Sequence, residues 1–221
     1  MSRIGRGVAV VVAETLASAI RLMAGTVVGY AECTPETLTA QSIFFANHSS
    51  HLDFVVLWSS LPWSARAMTR PVAAADYWSR GPVRRLLATY VFRAVLVQRG
   101  EVARDPATKF QNAEVLRSAL AAGESLILFP EGTRGDGEVV GQFRSGLFRL
   151  AEQWPQVQLV PVRLENLNRI LPKGEMLPVP LLSRLTFGPV MRVRDGECKE
   201  EFLERAREAV AGDEVSDVHE S

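Results

Sequence analysis

The sequence predicts an α/β fold: a single domain whose mixed, largely parallel sheet is flanked by helices, with an amphipathic helical segment ahead of it. Three observations carry that prediction. Short apolar runs at 42–46, 94–97, 125–129 and 157–164 have the length and composition of buried strands. Helical patterns separate them, and strands alternating with helices specify a sheet whose parallel strands are joined by helical crossovers. The chain has 221 residues, 47% of them hydrophobic, enough for one sizeable core, and no internal repeat or linker divides it.

Residues 8–30 are mostly apolar, follow Arg3 and Arg6, and are interrupted by Glu14 and Arg21. They lack the uninterrupted stretch of about 18 apolar residues that marks a spanning helix. No small-residue cleavage site follows a compact apolar core, so a removed signal peptide is not expected. An amphipathic helix or helix pair over residues 1–30 is expected, with two readings open. It covers the domain's own core, or it lies in a membrane interface with its cationic start at the head groups.

Residues 31–212 form the domain. After the strand at 42–46, residues 52–61 read as a helix that stops before Pro62. Residues 65–71 read as a short strand, and 73–78 and 82–92 as helices, Pro82 suiting a first turn. The run 94–97 is a buried strand with Arg99 at its exit. Asp105, Pro106 and Gly123 mark the clearest helix, as N-cap, first-turn proline and a glycine just past the end. Phe110, Ala113, Leu116 and Leu120 recur along it at helical spacing. Residues 125–129 form a further buried strand. The loop 130–141 carries Gly132, Gly135, Gly137 and Gly141. A helix over 145–154 follows, then a strand over 157–164 interrupted by Pro161. A Pro-rich loop with an apolar character (Met176, Leu177, Val179) spans 171–180. One or two strands lie in 185–193, and a last helix over 200–211 sets Phe202, Leu203, Ala206 and Val210 on one face. Residues 213–221 are expected to be a flexible acidic tail.

Lys+Arg and Asp+Glu both count 25, so no global basic field argues for a nucleic-acid partner. An arginine-lined anion site can still sit within a neutral total. Cys33 and Cys198 are far apart and belong to no motif, which fits a reducing compartment.

One stretch concentrates chemistry: Asn47-His48-Ser49-Ser50-His51-Leu52-Asp53. His48 falls at a strand exit beside a helix start, where α/β folds gather active sites. Asp53 can fold back to one ring nitrogen of His48, fix the tautomer and leave the other nitrogen free to take a proton. Such a base suits deprotonation of a substrate hydroxyl. A structural histidine is the plain alternative. A metal site of His48, His51 and Asp53 is another, although Cys33, Cys198 and His219 stand in no spacing that completes it. A second group gathers at comparable strand exits: Arg99, the segment Glu131-Gly132-Thr133-Arg134, and Pro161. There a glycine admits backbone N–H groups to a ligand and arginines suit phosphate. Glu131 is placed to bond a substrate hydroxyl or to hold the arginine. Phe143-Arg144-Ser145-Gly146 then opens a helix toward the same anion. Taken singly, Arg99 and the glycine loop read as a solvated charge and a turn.

Together these blocks resemble the lysophospholipid acyltransferase family, whose best-known members are the 1-acylglycerol-3-phosphate acyltransferases. Asn47 to Asp53 matches an NHxxxxD block, and Phe129-Pro130-Glu131-Gly132-Thr133-Arg134 matches an FPEGTR block in full. Residues 94–99 resemble an apolar strand ending in arginine, without the glycine that often opens that block. Val160-Pro161-Val162 matches the apolar-proline block, and Phe143-Arg144-Ser145-Gly146 resembles the F-[KR]-x-G that follows the third.

The resemblance implies a glycerolipid acyltransferase-like fold. In it His48 is the general base and Asp53 its orienting partner. Arg99, Glu131, Gly132, Thr133 and Arg134 hold the acceptor's phosphate and glycerol, and Pro161 shapes the pocket. His51 is a variable residue at the helix start. The implied reaction moves an acyl group from acyl-CoA or acyl carrier protein to the hydroxyl of a lysophospholipid, first of all 1-acylglycerol-3-phosphate, in phospholipid biosynthesis. No cofactor, metal or acyl-enzyme is implied. A different lyso-lipid acceptor and a non-catalytic lipid-binding module are the rival readings. The implied location is peripheral, on the cytoplasmic side of the membrane. Residues 1–30 would dock there, with Trp58, Trp63, Trp78 and the loop 176–182 as further candidates for lipid contact.

Overall fold

The computed structural model describes residues 3–50, 52–167 and 182–212. His51, the proline-rich loop 171–180, all of the lipid-contact candidate 176–182 but Leu182, and the tail 213–221 lie outside the described residues. In chain order the strands are β1 (Val27–Tyr30), β2 (Ser42–Ala46), β3 (Thr69–Ala74), β4 (Val95–Val97), β5 (Ser125–Leu128), β6 (Gln158–Glu165) and β7 (Arg184–Phe187). They form one sheet in the order β1-β7-β6-β2-β5-β3-β4. From β6 through β2, β5 and β3 to β4 every pairing is parallel. β7 is antiparallel to β6, and β1 is parallel to β7. The mixed, largely parallel sheet is therefore as expected.

The helices are α1 (Arg3–Met23), α2 (Asp53–Ser60), α3 (Trp63–Met68), α4 (Ala75–Trp78), α5 (Pro82–Leu86), α6 (Pro106–Ala121), α7 (Gly146–Gln153) and α8 (Lys199–Ala211). They cover both faces of the sheet, and β2 shows how. All five of its residues are buried. Side chains alternate along a strand, so Phe44 and Ala46 join the core layer with Ala17 and Ile20 of α1 and Val56 and Leu57 of α2. Ile43 and Phe45 point the other way, toward Leu120 of α6, Leu147 and Leu150 of α7 and Phe202 of α8. A strand covered on both faces reads as a continuous apolar run. Fully burying Phe44 and Phe45 contributes about 1.5–3 kcal/mol each.

Several boundaries differ from expectation. The N-terminal helix stops at Met23, and residues 27–30 are an edge strand rather than more helix. Gly25 has φ 51°, and Ser183 ties down the turn through its Oγ–H to the Ala24 carbonyl at 2.9 Å. Residues 65–68 are helical, capped by Pro62, and the strand begins at Thr69 and continues to Ala74, whose last residues pair with β4. The helix from Pro82 changes at Leu87 into a π-helical turn ending at Val91, and Arg93 has φ 51°. Phe110 is 64% exposed, because the inward face of α6 runs through Leu116, Ala119 and Leu120.

β6 is not interrupted at Pro161. A residue's N–H and C=O point to the same side of a strand, and the Pro161 carbonyl accepts from Gly188 N–H at 2.9 Å. The missing donor thus falls where β7 has just ended, outside the ladder.

One face of α1 covers the core, as one of the two readings expected. Ala17, Ile20 and Ala24 are buried, and Glu14 forms an ion pair with the buried Arg66. Leu22 and Met23 remain 85% and 62% exposed. Trp58 is buried and Trp78 packs edge-on against Phe54 and Phe92, whereas Trp63 is exposed. Among the described residues no helix is long and apolar enough to cross a membrane.

Candidate active site

The site begins where β2 ends. The last paired residue, Ala46, faces Val162 of β6. Asn47 then substitutes its side chain for a strand: its amide N–H donates to the Leu164 carbonyl at 2.9 Å and its Oδ1 accepts from Leu164 N–H at 2.8 Å. The main chain is thereby released from the sheet while still fastened to it, and the next residue is His48. Asp53 opens α2 and is fully buried. Its Oδ2 accepts from Ser49 N–H at 2.6 Å and Ser50 N–H at 2.8 Å, and lies 2.9 Å from His48 Nδ1. With Oδ2 acting as acceptor for two backbone donors, the proton of the third contact belongs on Nδ1. Nε2 is left with its lone pair, able to accept a proton. The imidazole, 11% exposed, stacks on Phe129 at 4.4 Å between ring centroids.

The loop after β5 holds His48 from the other side. Glu131 is buried, and its two carboxylate oxygens accept from His48 N–H at 2.8 Å and Gly141 N–H at 3.1 Å. The His48 carbonyl accepts from Gly135 N–H at 2.8 Å. Both backbone groups of His48 are thus fixed by one loop. Glu131 stands in a different place from the one expected of a substrate ligand. Its oxygens are taken by backbone donors, and its carbonyl accepts from Arg144 Nε at 3.1 Å, so it acts as a positioning residue. Phe143, edge-on to Phe45, and Arg144 N–H bonded to the Pro130 carbonyl anchor the far end of the loop.

Gly132 has φ 73°, and a Cβ there would lie 2.6 Å from Arg144 Nε. Gly132→Ala is therefore expected to displace the Arg144 guanidinium and to cost about 1–2 kcal/mol from the left-handed backbone alone. A melting-temperature comparison checks this, and an unchanged melting temperature would refute it.

Beside this pair lies a cavity of about 1440 Å³. Ser49, Ser50, Phe129, Gly132, Thr133 and Arg134 form its wall near His48, with Arg99 and Arg144. Although much of Arg99 is exposed, burial of its guanidinium by the surrounding protein holds it below its ordinary range, Asp76 opposes, and Arg134 and Arg144 push it down further. Mutual repulsion among arginines around an open cavity is the setting in which an anion is stabilised.

The structure thus brings Arg99, Gly132, Thr133 and Arg134 together around one cavity. His48 and Asp53 adjoin it through Ser49, Ser50 and Phe129. Pro161 is buried in β6 against Gly188, level with Phe45, and is not on the cavity wall. Phe129, Gly135, Gly141 and the amides of Ser49 and Ser50 were not among the expected site residues. Phe129 stands at the head of the FPEGTR block and Ser49 and Ser50 inside the NHxxxxD block, whereas Gly135 and Gly141 are marked in the sequence only as loop glycines. Among the described residues no group of three or more His, Cys, Asp or Glu side chains is assembled that could hold a metal.

A mixed, largely parallel sheet with an oriented histidine at a strand exit, beside a cavity lined by arginines, suits group-transfer or hydrolytic chemistry. Residues 28–165 match the Acyltransferase family, and the chain belongs to it: the protein is an acyltransferase. The fold is also that of the 1-acyl-sn-glycerophosphate (LPA) acyltransferase PlsC from Thermotoga maritima. The crystal structure of that protein superposes with a TM-score of 0.66 at 20% sequence identity, over 93% of this chain and 78% of that one. A search of curated proteins finds no match.

Proposed function

We propose that the protein transfers an acyl group from an acyl thioester, acyl-CoA or acyl carrier protein, to the free hydroxyl of a lysophospholipid. The acceptor is 1-acylglycerol-3-phosphate and the product phosphatidate. The observation that carries this reading is the His48–Asp53 pair fixed at 2.9 Å beside a cavity walled by Arg99, Arg134 and Arg144. Nε2 of His48 takes the acceptor's hydroxyl proton, and the oxygen attacks the thioester carbonyl. The tetrahedral intermediate collapses with loss of the thiolate, which takes the proton back from His48. The acyl group passes directly to the acceptor, so the chemistry needs no acyl-enzyme, metal or cofactor. The arginines hold the acceptor's phosphate, with Gly132 and Thr133 beside it. The acceptor named for the structural neighbour supports this choice.

The test is thiol release from acyl-CoA and acyl-carrier-protein donors with lysophosphatidate in detergent micelles. Release that requires the acceptor is expected. Release that proceeds equally without it would mean a thioesterase.

A lipid acceptor also requires a membrane surface. We place the enzyme on the cytoplasmic side as a peripheral protein, with α1 and α5, which runs on into the turn 87–91 packed against α1, toward the bilayer. Leu22 and Met23 project at the end of α1, and Val83, Leu86 and Tyr90 are exposed at helical spacing beside Arg84 and Arg85. Because α1 also packs the core, point substitution tests this better than truncation. The double substitution Leu22→Glu/Met23→Glu is expected to reduce flotation with anionic liposomes while leaving the fold intact. Undiminished flotation would remove α1 from the docking surface.

A further inference from the structure

We infer that Asp76 is a positioning residue for the acceptor's phosphate: it keeps the Arg99 guanidinium in its place on the cavity wall, against the repulsion of Arg134 and Arg144. The inference rests on the acyl-transfer reading above. The sheet sets the two residues side by side. β3 and β4 are parallel neighbours, and their last pair is Ala74 with Val97. Asp76 and Arg99 each stand two residues beyond that pair, and adjacent strands lie about 4.8 Å apart. α4, which carries Asp76 in its first turn, follows β3 without a loop and packs on β4 as well as on β3. The main chain ahead of Arg99 is fixed too, because Asn112 of α6 bonds both backbone groups of Gln98 at 2.9 Å. Two short exits from adjacent strands thus bring a carboxylate and a guanidinium together.

Arg99 needs such a partner more than Arg144 does. Arg144 is tied by its Nε to the Glu131 carbonyl at 3.1 Å, whereas among the described residues Arg99 forms no ion pair. Arg99 follows β4, the strand at the edge of the sheet, and its side chain is free to turn out to solvent. Two like charges on the same cavity favour that escape. Arg134 and Arg144 act on Arg99 in this sense, and Asp76 acts in the other. Glu101 and Asp136 also stand on the cavity wall. Asp136 Oδ1 accepts from Glu138 N–H at 3.0 Å within its own loop, and Asp76 is the acid that acts most strongly on Arg99. Arg99 lines the cavity and Asp76 does not, so the carboxylate works from outside the wall. Because it directs the guanidinium without pairing to it, the N–H donors of Arg99 are left for a phosphate, which a guanidinium binds bidentately.

The probe is glycerol 3-phosphate, the acceptor's head group without its chain, titrated calorimetrically into the full-length protein. Asp76→Asn is expected to weaken its binding at least fivefold, and Asp76→Glu to bring it back within about twofold of wild type. Added to Arg99→Gln, the Asn substitution is expected to have no further effect, because the carboxylate then has nothing to hold. In turnover, Asp76→Asn is expected to raise KM for lysophosphatidate at least fivefold with kcat within about twofold. The melting temperature is expected to stay unchanged, since Asp76 is exposed. Tighter binding in Asp76→Asn would reveal a carboxylate that only repels the anion, and would overturn the inference. So would a loss that multiplies with that of Arg99→Gln, or a wild type that does not bind the probe. If the binding order holds and no donor supports transfer, the positioning stands and the acyl-transfer reading fails. If transfer proceeds and neither binding nor KM responds to Asp76→Asn, the positioning is wrong and the reaction stands.

Discussion

His48→Ala is expected to lower acceptor-dependent thiol release by about 10²–10⁴-fold, the range a positioned general base supplies, while the protein stays folded. The two halves of that expectation have separate causes. Nε2 is the ring atom left free once Asp53 Oδ2 engages Nδ1, so truncation removes the proton acceptor itself. The fold loses much less. The main chain of His48 is held by Glu131 and Gly135, and neither contact uses the side chain. Asp53 Oδ2 keeps its donors at Ser49 and Ser50. What disappears is the stack on Phe129 and one hydrogen bond, whose net worth is about 0.5–1.5 kcal/mol. Steady-state rates beside a thermal melt separate the two quantities. A rate within tenfold of wild type in a fully folded variant would end the base assignment. So would a rate loss matched by global unfolding.

The sequence made the His48–Asp53 pair legible because it is local. Five residues separate the two side chains, the strand before them is an unbroken apolar run, and the helix after them has its own period. Glu131 was legible as a site residue but not in its role. Its partners are backbone N–H groups of His48, 83 residues away, and of Gly141, and no side-chain pattern names a backbone donor across a fold. The same limit explains Pro161. Its motif placed it at a strand exit, whereas the antiparallel pairing of β6 with β7 carries the strand on to Glu165 and leaves the proline inside. Phe110 fits the helical period of α6 yet faces solvent. A period of 3.6 residues fixes the width of a face, but not which neighbour covers its margin. The helix over 63–68 lies where the sequence reads as a strand from residue 65, because six residues between a proline and a strand hold less than two turns of pattern. Elements set by local period were readable, and those set by register across the sheet were not.

Asp53→Asn is expected to bring the rate down into the same range as His48→Ala, about 10²–10⁴-fold, and the double variant to be no slower than His48→Ala alone. An asparagine retains one acceptor for the three donors now on Oδ2, but without charge. If its oxygen takes the place of Oδ2, the imidazolium formed during transfer has no counter-charge. If its nitrogen faces Nδ1 instead, the ring proton moves to Nε2 and blocks the base. Either way the loss acts through His48, so once the imidazole is gone nothing remains for Asp53 to orient, and groups acting as one unit are non-additive. Multiplying single effects in the double variant would show that Asp53 serves the reaction by a separate route. Stability should rank the other way. Asp53 is fully buried and its Oδ1 has no hydrogen-bond partner, so the substitution sets an amide group there unsatisfied, at a cost of about 1–3 kcal/mol. Asp53→Asn should therefore melt below His48→Ala while matching it in rate, and that crossing of the two orders distinguishes an orienting carboxylate from one that merely supports the fold.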